Sequence, residues 1–267
     1  MQHKISYIII FVLILSFFGC SKYQKILKKA DKETKYKTAL ELYEKGDYIT
    51  CLQFLDELIP IFRGTDKSQK LYYMYPNCYY KTSDFILAAY HFKNYAKLFP
   101  NTIETEEAMY LAAYCSYLDS PKSSLDQSST TIAMEELQLF INKYPQNPKV
   151  TTCNELMDEL REKLAQKDFD IAMTYFYTES YQAANIAFGN LLKTYPNSKL
   201  RENTMFNMIK NMYLYALNSI DSKKIERLYQ CIDLANLFKA SYNSSTNIKN
   251  ADRYILLSNQ MLEKIKN

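Results

Sequence analysis

Five stretches of this chain carry one pattern of side chains, and that pattern narrows what the chain can fold into. From Tyr181 to Pro196 an aromatic residue is followed by Ala184, Phe188, Leu191 and Pro196, at three, seven, ten and fifteen positions on. Steps of three and four place side chains on one face of a helix. Pro196 ends that helix, and Asn197-Ser198 opens the next element. Phe85, Ala88, Phe92, Tyr95 and Pro100 repeat the pattern in full. Thr130, Ala133, Leu137, Phe140 and Pro145 repeat it except at the aromatic. Tyr48, Cys51, Leu55, Leu58 and Arg63 keep the apolar points without the proline, as do Leu228, Cys231, Ala235, Phe238 and Asn243. A small residue holds the second point each time, where two helices must approach closely. Copies spaced about 37 to 51 residues apart predict an array of helix pairs, each burying its face against its neighbours.

Composition agrees. Beyond residue 20 the only glycines are Gly46, Gly64 and Gly189, too few for a fold rich in β-turns. Almost half of the residues are apolar, enough for a core, and a formal charge of +4 selects no partner class. The first helix pair is expected over 31–62, with Ala39 and Leu42 on its packing face and Gly46-Asp47 as its turn. This pair resembles the tetratricopeptide repeat, in which a small residue on one helix meets a small residue on the next. A second pair is expected near 66–82 and 84–99, where Pro76 should kink the first helix. A third is expected near 103–118 and 128–144, around the polar insertion DSPKSSLDQSST, which reads as a binding loop or as disorder. A long helix over 149–178 opens the fourth pair, 199–241 holds the fifth, and a helix over 247–265 reads as a terminal cap. The fold class is therefore all-α, a tetratricopeptide-like superhelix of about five helix pairs closed by a C-terminal capping helix.

The first 19 residues read as an export signal. Lys4 gives the charged start, and Ile5 to Phe18 an apolar core too short for a typical membrane span. The ending Phe17-Phe18-Gly19-Cys20 resembles a bacterial lipoprotein cleavage site, which makes Cys20 the acylated (palmitate-bearing) first residue of the mature chain. Several acyl chains hold such a protein on a membrane stably. An ordinary secreted protein is the competing reading. Residues 20–30 then form a lipidated basic tether, part of a lysine-rich run to Lys37 that reads as solvated.

The chain shows no set of residues suited to catalysis. Beyond the signal there is one histidine, His91, expected on a partly exposed helix surface, and one histidine cannot supply a zinc site. No glycine-rich loop of phosphate-cradling spacing occurs. Acidic pairs such as Glu106-Glu107 and Glu135-Glu136 fit helix starts or outward faces better than acid–base work. Cys51, Cys78, Cys115, Cys153 and Cys231 show no disulfide framework and read as small apolar core groups. The sequence predicts no enzyme, no cofactor and no metal, and export with a mild charge disfavours nucleic acid.

Tyrosine is the positive lead, with 25 copies and no tryptophan. Aligning the first helices on Ala39, Pro76 and Ala113 turns one set of side chains toward a common groove. These are Tyr36 and Tyr43, then Tyr73, Asn77 and Tyr80, then Tyr110, Tyr114 and Tyr117. Tyrosine offers wide contact at low entropic cost with a polar tip, and such a trough suits an extended peptide with aromatic side chains. Core between repeats is the competing assignment for each of them.

With anchor, repeats and insertion in view, the chain resembles the BamD family, outer-membrane lipoproteins of the β-barrel assembly machinery. The resemblance covers nearly all of the mature chain. It rests on Cys20 followed by five tetratricopeptide-like pairs, and more specifically on residues 160–204, with the run Ala172 to Phe176 and then Tyr195-Pro196. Phe99-Pro100-Asn101, and AMYLAAY followed by the insertion, are also familial, whereas Phe17 and Pro76 depart from the pattern. The resemblance implies an outer-membrane, lipid-anchored protein facing the periplasm. It implies that N-terminal repeats, 31–148, receive the C-terminal targeting strand of unfolded outer-membrane proteins. It implies that C-terminal repeats and cap, 149–267, dock on the barrel-forming insertase, with other assembly-complex subunits as further partners. The mechanism would be capture and hand-over without covalent chemistry. A different periplasmic tetratricopeptide-type lipoprotein, scaffolding a cell-wall or envelope complex, is the alternative.

Overall fold

A computed structural model describes residues 22–266. The expected signal peptide and Cys20 lie outside them. The described chain holds helices and connections and no strand: α1 (22–29), α2 (Lys32–Lys45), α3 (Tyr48–Ile61), α4 (Ser68–Lys81), α5 (Phe85–Leu98), α6 (Glu104–Asp119), α7 (Ser128–Lys143), α8 (Lys149–Tyr177), α9 (Tyr181–Thr194), α10 (Arg201–Leu217), α11 (Asp221–Ser241) and α12 (Ile248–Lys266). The fold is all-α and tetratricopeptide-like, with α2/α3, α4/α5, α6/α7, α8/α9 and α10/α11 as the pairs and α12 after them.

The repeated face is what the core is made of. Its second, third and fourth points in all five copies, from Cys51, Leu55 and Leu58 to Cys231, Ala235 and Phe238, are 0% exposed. The structure adds a sixth point. One residue before each proline position stands an aromatic: Phe62, Phe99, Tyr144, Tyr195 and Tyr242. In every copy its backbone N–H closes the helix on the carbonyl four residues back, at 2.9 Å. Three of these rings also pack on an aromatic fourth point, with centroids 5.2 Å apart for Tyr95–Phe99 and 5.4 Å for Phe140–Tyr144 and Phe238–Tyr242.

The turns inside the pairs follow one recipe. Gly46 closes α2 at φ 79° and Asp47 caps α3 through the Thr50 N–H at 3.1 Å. Ser83 and Glu179 take the same left-handed backbone before α5 and α9. Asp84 caps α5 through the Leu87 N–H at 3.3 Å. At the head of α2, Asp31 accepts from the N–H groups of Glu33 and Thr34 and from the Thr34 hydroxyl. These bonds, the Thr34 hydroxyl's first, hold its carboxyl below the usual range.

Two compact units share the chain. The first comprises described residues 22–120 and 128–153, the second 121–127 and 154–266. In the first, Ala39, Leu42, Phe54, Leu55, Leu58, Leu71 and Met74 form one cluster, and Ala88, Phe92, Tyr95, Ala108 and Ala112 another. Helix α1 belongs to it too: Tyr23, Ile26 and Leu27 lean on the first cluster, and Gln24 donates to Gln53 at 3.0 Å. The run that read as a solvated tether is thus half-buried along one stripe. Helix α4 runs unbroken across Pro76, as α3 does across Pro60.

In the second unit, Phe169, Ala172 and Phe176 of α8 meet Ala184, Phe188 and Leu191 of α9. Met205, Ile209 and Met212 of α10 meet Cys231, Ala235 and Phe238 of α11 and Ala251 of α12. The polar insertion is a compact loop. Buried Gln127 donates its amide to the Lys122 and Leu125 carbonyls at 2.8 and 3.0 Å. Lys167 of α8 donates to the Leu125 carbonyl at 2.6 Å.

Candidate peptide-binding site

The eight residues singled out for a groove all fall on α2, α4 and α6 of the first unit. Asn77 and Tyr110 are buried and the other six are half-buried. Four of them form a continuous ladder. Tyr110 and Tyr114 stack at 5.9 Å with planes 10° apart, and Tyr114 and Tyr117 at 5.9 Å and 14°. The spacing of three to four residues along α6 puts these rings in register. Tyr80 of α4 reaches Tyr114 at 6.4 Å. At its inner end the ladder is rooted in the core, where Tyr110 meets Phe140 edge-on at 5.8 Å. Burial pushes the Tyr110 hydroxyl up to about 12. The Lys149 ammonium lies 4.7 Å from the Tyr110 ring centroid.

The other four are not part of this ladder. Tyr73 packs edge-on against Tyr95 at 5.1 Å and Phe92 at 6.3 Å, so much of its ring is core. Asn77 turns its amide back onto the Tyr73 carbonyl of its own helix at 2.8 Å. Tyr43 meets Tyr48 edge-on at 5.7 Å, and burial pushes its hydroxyl up to about 12. Tyr36 lies on Phe62 at 5.6 Å under the Lys67 ammonium at 4.9 Å, and Lys67 is ion-paired with Glu33. Core and surface are therefore mixed within each ring. A half-buried tyrosine fixed by its neighbours still presents an edge and a hydroxyl, which is a pre-organised contact for a peptide.

His91 is not isolated. It stacks on Tyr79 at 5.5 Å and meets Tyr75 and Tyr90 edge-on at 4.6 and 5.0 Å. Burial lowers its pKa, and the Asp56 carboxylate opposes that shift. Tyr72, Tyr75, Tyr90 and His91, with Ile59 and Leu98, line a cleft of about 350 Å³ between helices α3, α4 and α5. The sequence reading missed this aromatic cluster because it followed only the groove-facing positions of the first helices. The signal was present in Tyr75 and Tyr79, four apart on one helix, with a histidine on the next. Among the described residues no group of His, Cys, Asp and Glu is arranged to hold a metal ion.

In the second unit a charged cleft of about 910 Å³ lies between α8 and the turn after α9. Glu155, Asp158, Glu159, Arg161 and Glu162 line one side, and Tyr195 to Lys199 the other. Glu162 ties the two together, accepting from the Ser198 hydroxyl at 3.0 Å and the Lys199 N–H at 3.3 Å. Most of this lining comes from residues 160–204, the stretch on which the sequence resemblance chiefly rests.

Helix pairs stacked through a shared apolar face, with half-buried tyrosines along their first helices, define a helical-repeat protein of the tetratricopeptide type. A family model described as outer membrane lipoprotein, YfiO, matches residues 28–228, and the chain belongs to that family. An outer membrane protein assembly factor BamD from Vibrio cholerae serotype O1 is 20% identical over 192 residues, 68% of this chain and 80% of its own. The Haemophilus influenzae protein of the same name is 21% identical over 239 residues, 84% of this chain and 90% of its own. Among solved structures, the P58(IPK) TPR domain superposes with a TM-score of 0.40 at 14% identity, covering 91% of this chain and 60% of that one.

Proposed function

We propose that the protein is an assembly factor for outer-membrane proteins, and that it works by holding polypeptides rather than by covalent chemistry. The observation that carries the reading is the family match over 28–228, in a chain whose relatives bear the name of such factors. Cys20 carries the lipid that fixes the protein to the periplasmic side of the outer membrane. No described helix is long and apolar enough to cross a membrane.

The N-terminal repeats, 31–148, take the aromatic-ended targeting strand of an unfolded barrel protein. Tyr80, Tyr114 and Tyr117 are its first contacts, because they combine half-exposure with rings held by their neighbours. Tyr36, Tyr43 and Tyr73 extend the track, with Asn77 and Tyr110 as its floor. The C-terminal repeats and cap, 149–267, dock on the insertase, and the charged cleft beside α8 is the surface offered to it. Other subunits of the assembly complex would join through the same protein.

Affinity purification from detergent-solubilised membranes tests this. Co-purification of a large barrel-type insertase is expected, with the protein acylated at Cys20 in the outer-membrane fraction. Repeated absence of the insertase from intact, membrane-bound protein rejects the docking role. Soluble protein with an unmodified Cys20 rejects the anchor.

A further inference from the structure

Two cysteines face each other across the first two helix pairs. Helices α3 and α4 run antiparallel on either side of a short connection, so positions equally far from it lie level. Cys51 stands ten residues before the last residue of α3, and Cys78 ten residues after the first of α4. At 1.5 Å per residue, each is about 15 Å from the connection. Both side chains are 0% exposed and sit in one core cluster. The Cys51 thiol is close enough to Cys78 to help raise the Cys78 pKa. The Cys51 thiol in turn donates to the Ala39 carbonyl at 3.3 Å. Cys115 and Cys231 occupy other clusters.

We propose that Cys51 and Cys78 are a disulfide-forming pair, joined as the first two helix pairs close on one another, and that the bond staples α3 to α4. The geometry stands by itself. The oxidant depends on the exported location proposed above, because thiol–disulfide oxidants act in that compartment. One thiolate attacks the disulfide of such an oxidant, forming a mixed disulfide and releasing one oxidant thiolate. The second cysteine loses its proton and attacks the protein sulfur of that mixed disulfide, releasing the other. The two cysteines give up two electrons and two protons, and the oxidant disulfide is reduced to two thiols.

Timing follows from packing. Once α4 has closed on α3, the neighbouring Cys51 thiol and burial both push the Cys78 pKa upward. A protonated, enclosed thiol neither attacks nor is reached. Oxidation therefore belongs to folding and not to the finished fold.

The test is refolding of the full chain from denaturant in a mixture of reduced and oxidised glutathione. The refolded protein is then quenched in acid and unfolded, its free thiols are alkylated in denaturant, and peptides are mapped without reduction. The expected product is one dominant Cys51–Cys78 cross-link, lighter than the two free peptides by two hydrogen atoms. Cys115, Cys153 and Cys231 stay alkylatable. The Cys78→Ala protein should fold to the same helicity and give no cross-link to Cys51. Folded wild-type protein that keeps both thiols free, or that scatters cross-links over the other cysteines, overturns the proposal. So does protein trapped from the outer-membrane fraction with Cys51 and Cys78 both reduced. Refolding needs no cell, so failure there condemns the pair, whereas protein found away from the outer membrane condemns the location.

Discussion

At the turn inside a helix pair, one backbone conformation is carried by three different residue types. Gly46, Ser83 and Glu179 have φ of 79°, 63° and 58°, each just before a capping residue and an aromatic. A left-handed backbone costs a residue with a Cβ ~1–2 kcal/mol. Glu179→Gly should therefore raise stability by up to ~1 kcal/mol, read as a higher urea midpoint. Gly46→Ala should lower it by ~1 kcal/mol. The loss there comes from the backbone, since an added Cβ meets nothing nearer than Tyr48 Cε2 at 3.9 Å. A lower midpoint for Glu179→Gly would mean that the glutamate side chain contributes more than the strain removes. His91 makes a second prediction. Its folded pKa is depressed, so the unfolded chain binds the proton more readily. Stability tied to His91 is present above its unfolded pKa of about 6.5 and is lost as pH falls through the folded value. His91→Phe keeps an aromatic ring and should flatten the fall of the urea midpoint from about pH 7 to about pH 5. An equally steep fall in the variant would place the titration elsewhere.

The helices were the most legible level, because steps of three and four write the buried face directly into the chain. All fifteen apolar points after the first turned out fully buried. The aromatic that closes each second helix was overlooked because the proline beside it drew the reading, although the aromatic occurs in all five copies and the proline in three. Helix α1 was hidden by charge. Its lysines dominate the composition, while Tyr23, Ile26 and Leu27 form the stripe that packs. The insertion before α7 read as a binding loop or disorder because its order comes from Gln127 and Lys167, contacts that no local pattern announces. The tyrosines were half legible. Spacing placed them on one side of the first helices, but only packing could separate Tyr73, which leans on Tyr95, from Tyr114 and Tyr117. Phe188 tests the shared face itself. It is fully buried between α8 and α9, and Phe188→Ala should cost ~3–5 kcal/mol in denaturant titration. A cost below ~1 kcal/mol would contradict a core built on that face.

At the scale of the whole molecule, two units divide the proposed work. The first holds the tyrosine ladder and the second the charged cleft lined by much of 160–204. The proposed work is occupancy: which polypeptide touches which unit. Photo-crosslinking in living cells reads this directly. A photoreactive amino acid is placed at Tyr117 in one strain and at Lys199, on the rim of the charged cleft, in another. The expected result is adducts of unfolded outer-membrane proteins from position 117, and an adduct of the barrel insertase from position 199. The same partner at both positions, or neither partner at either in a protein that still folds and reaches the outer membrane, would contradict the account.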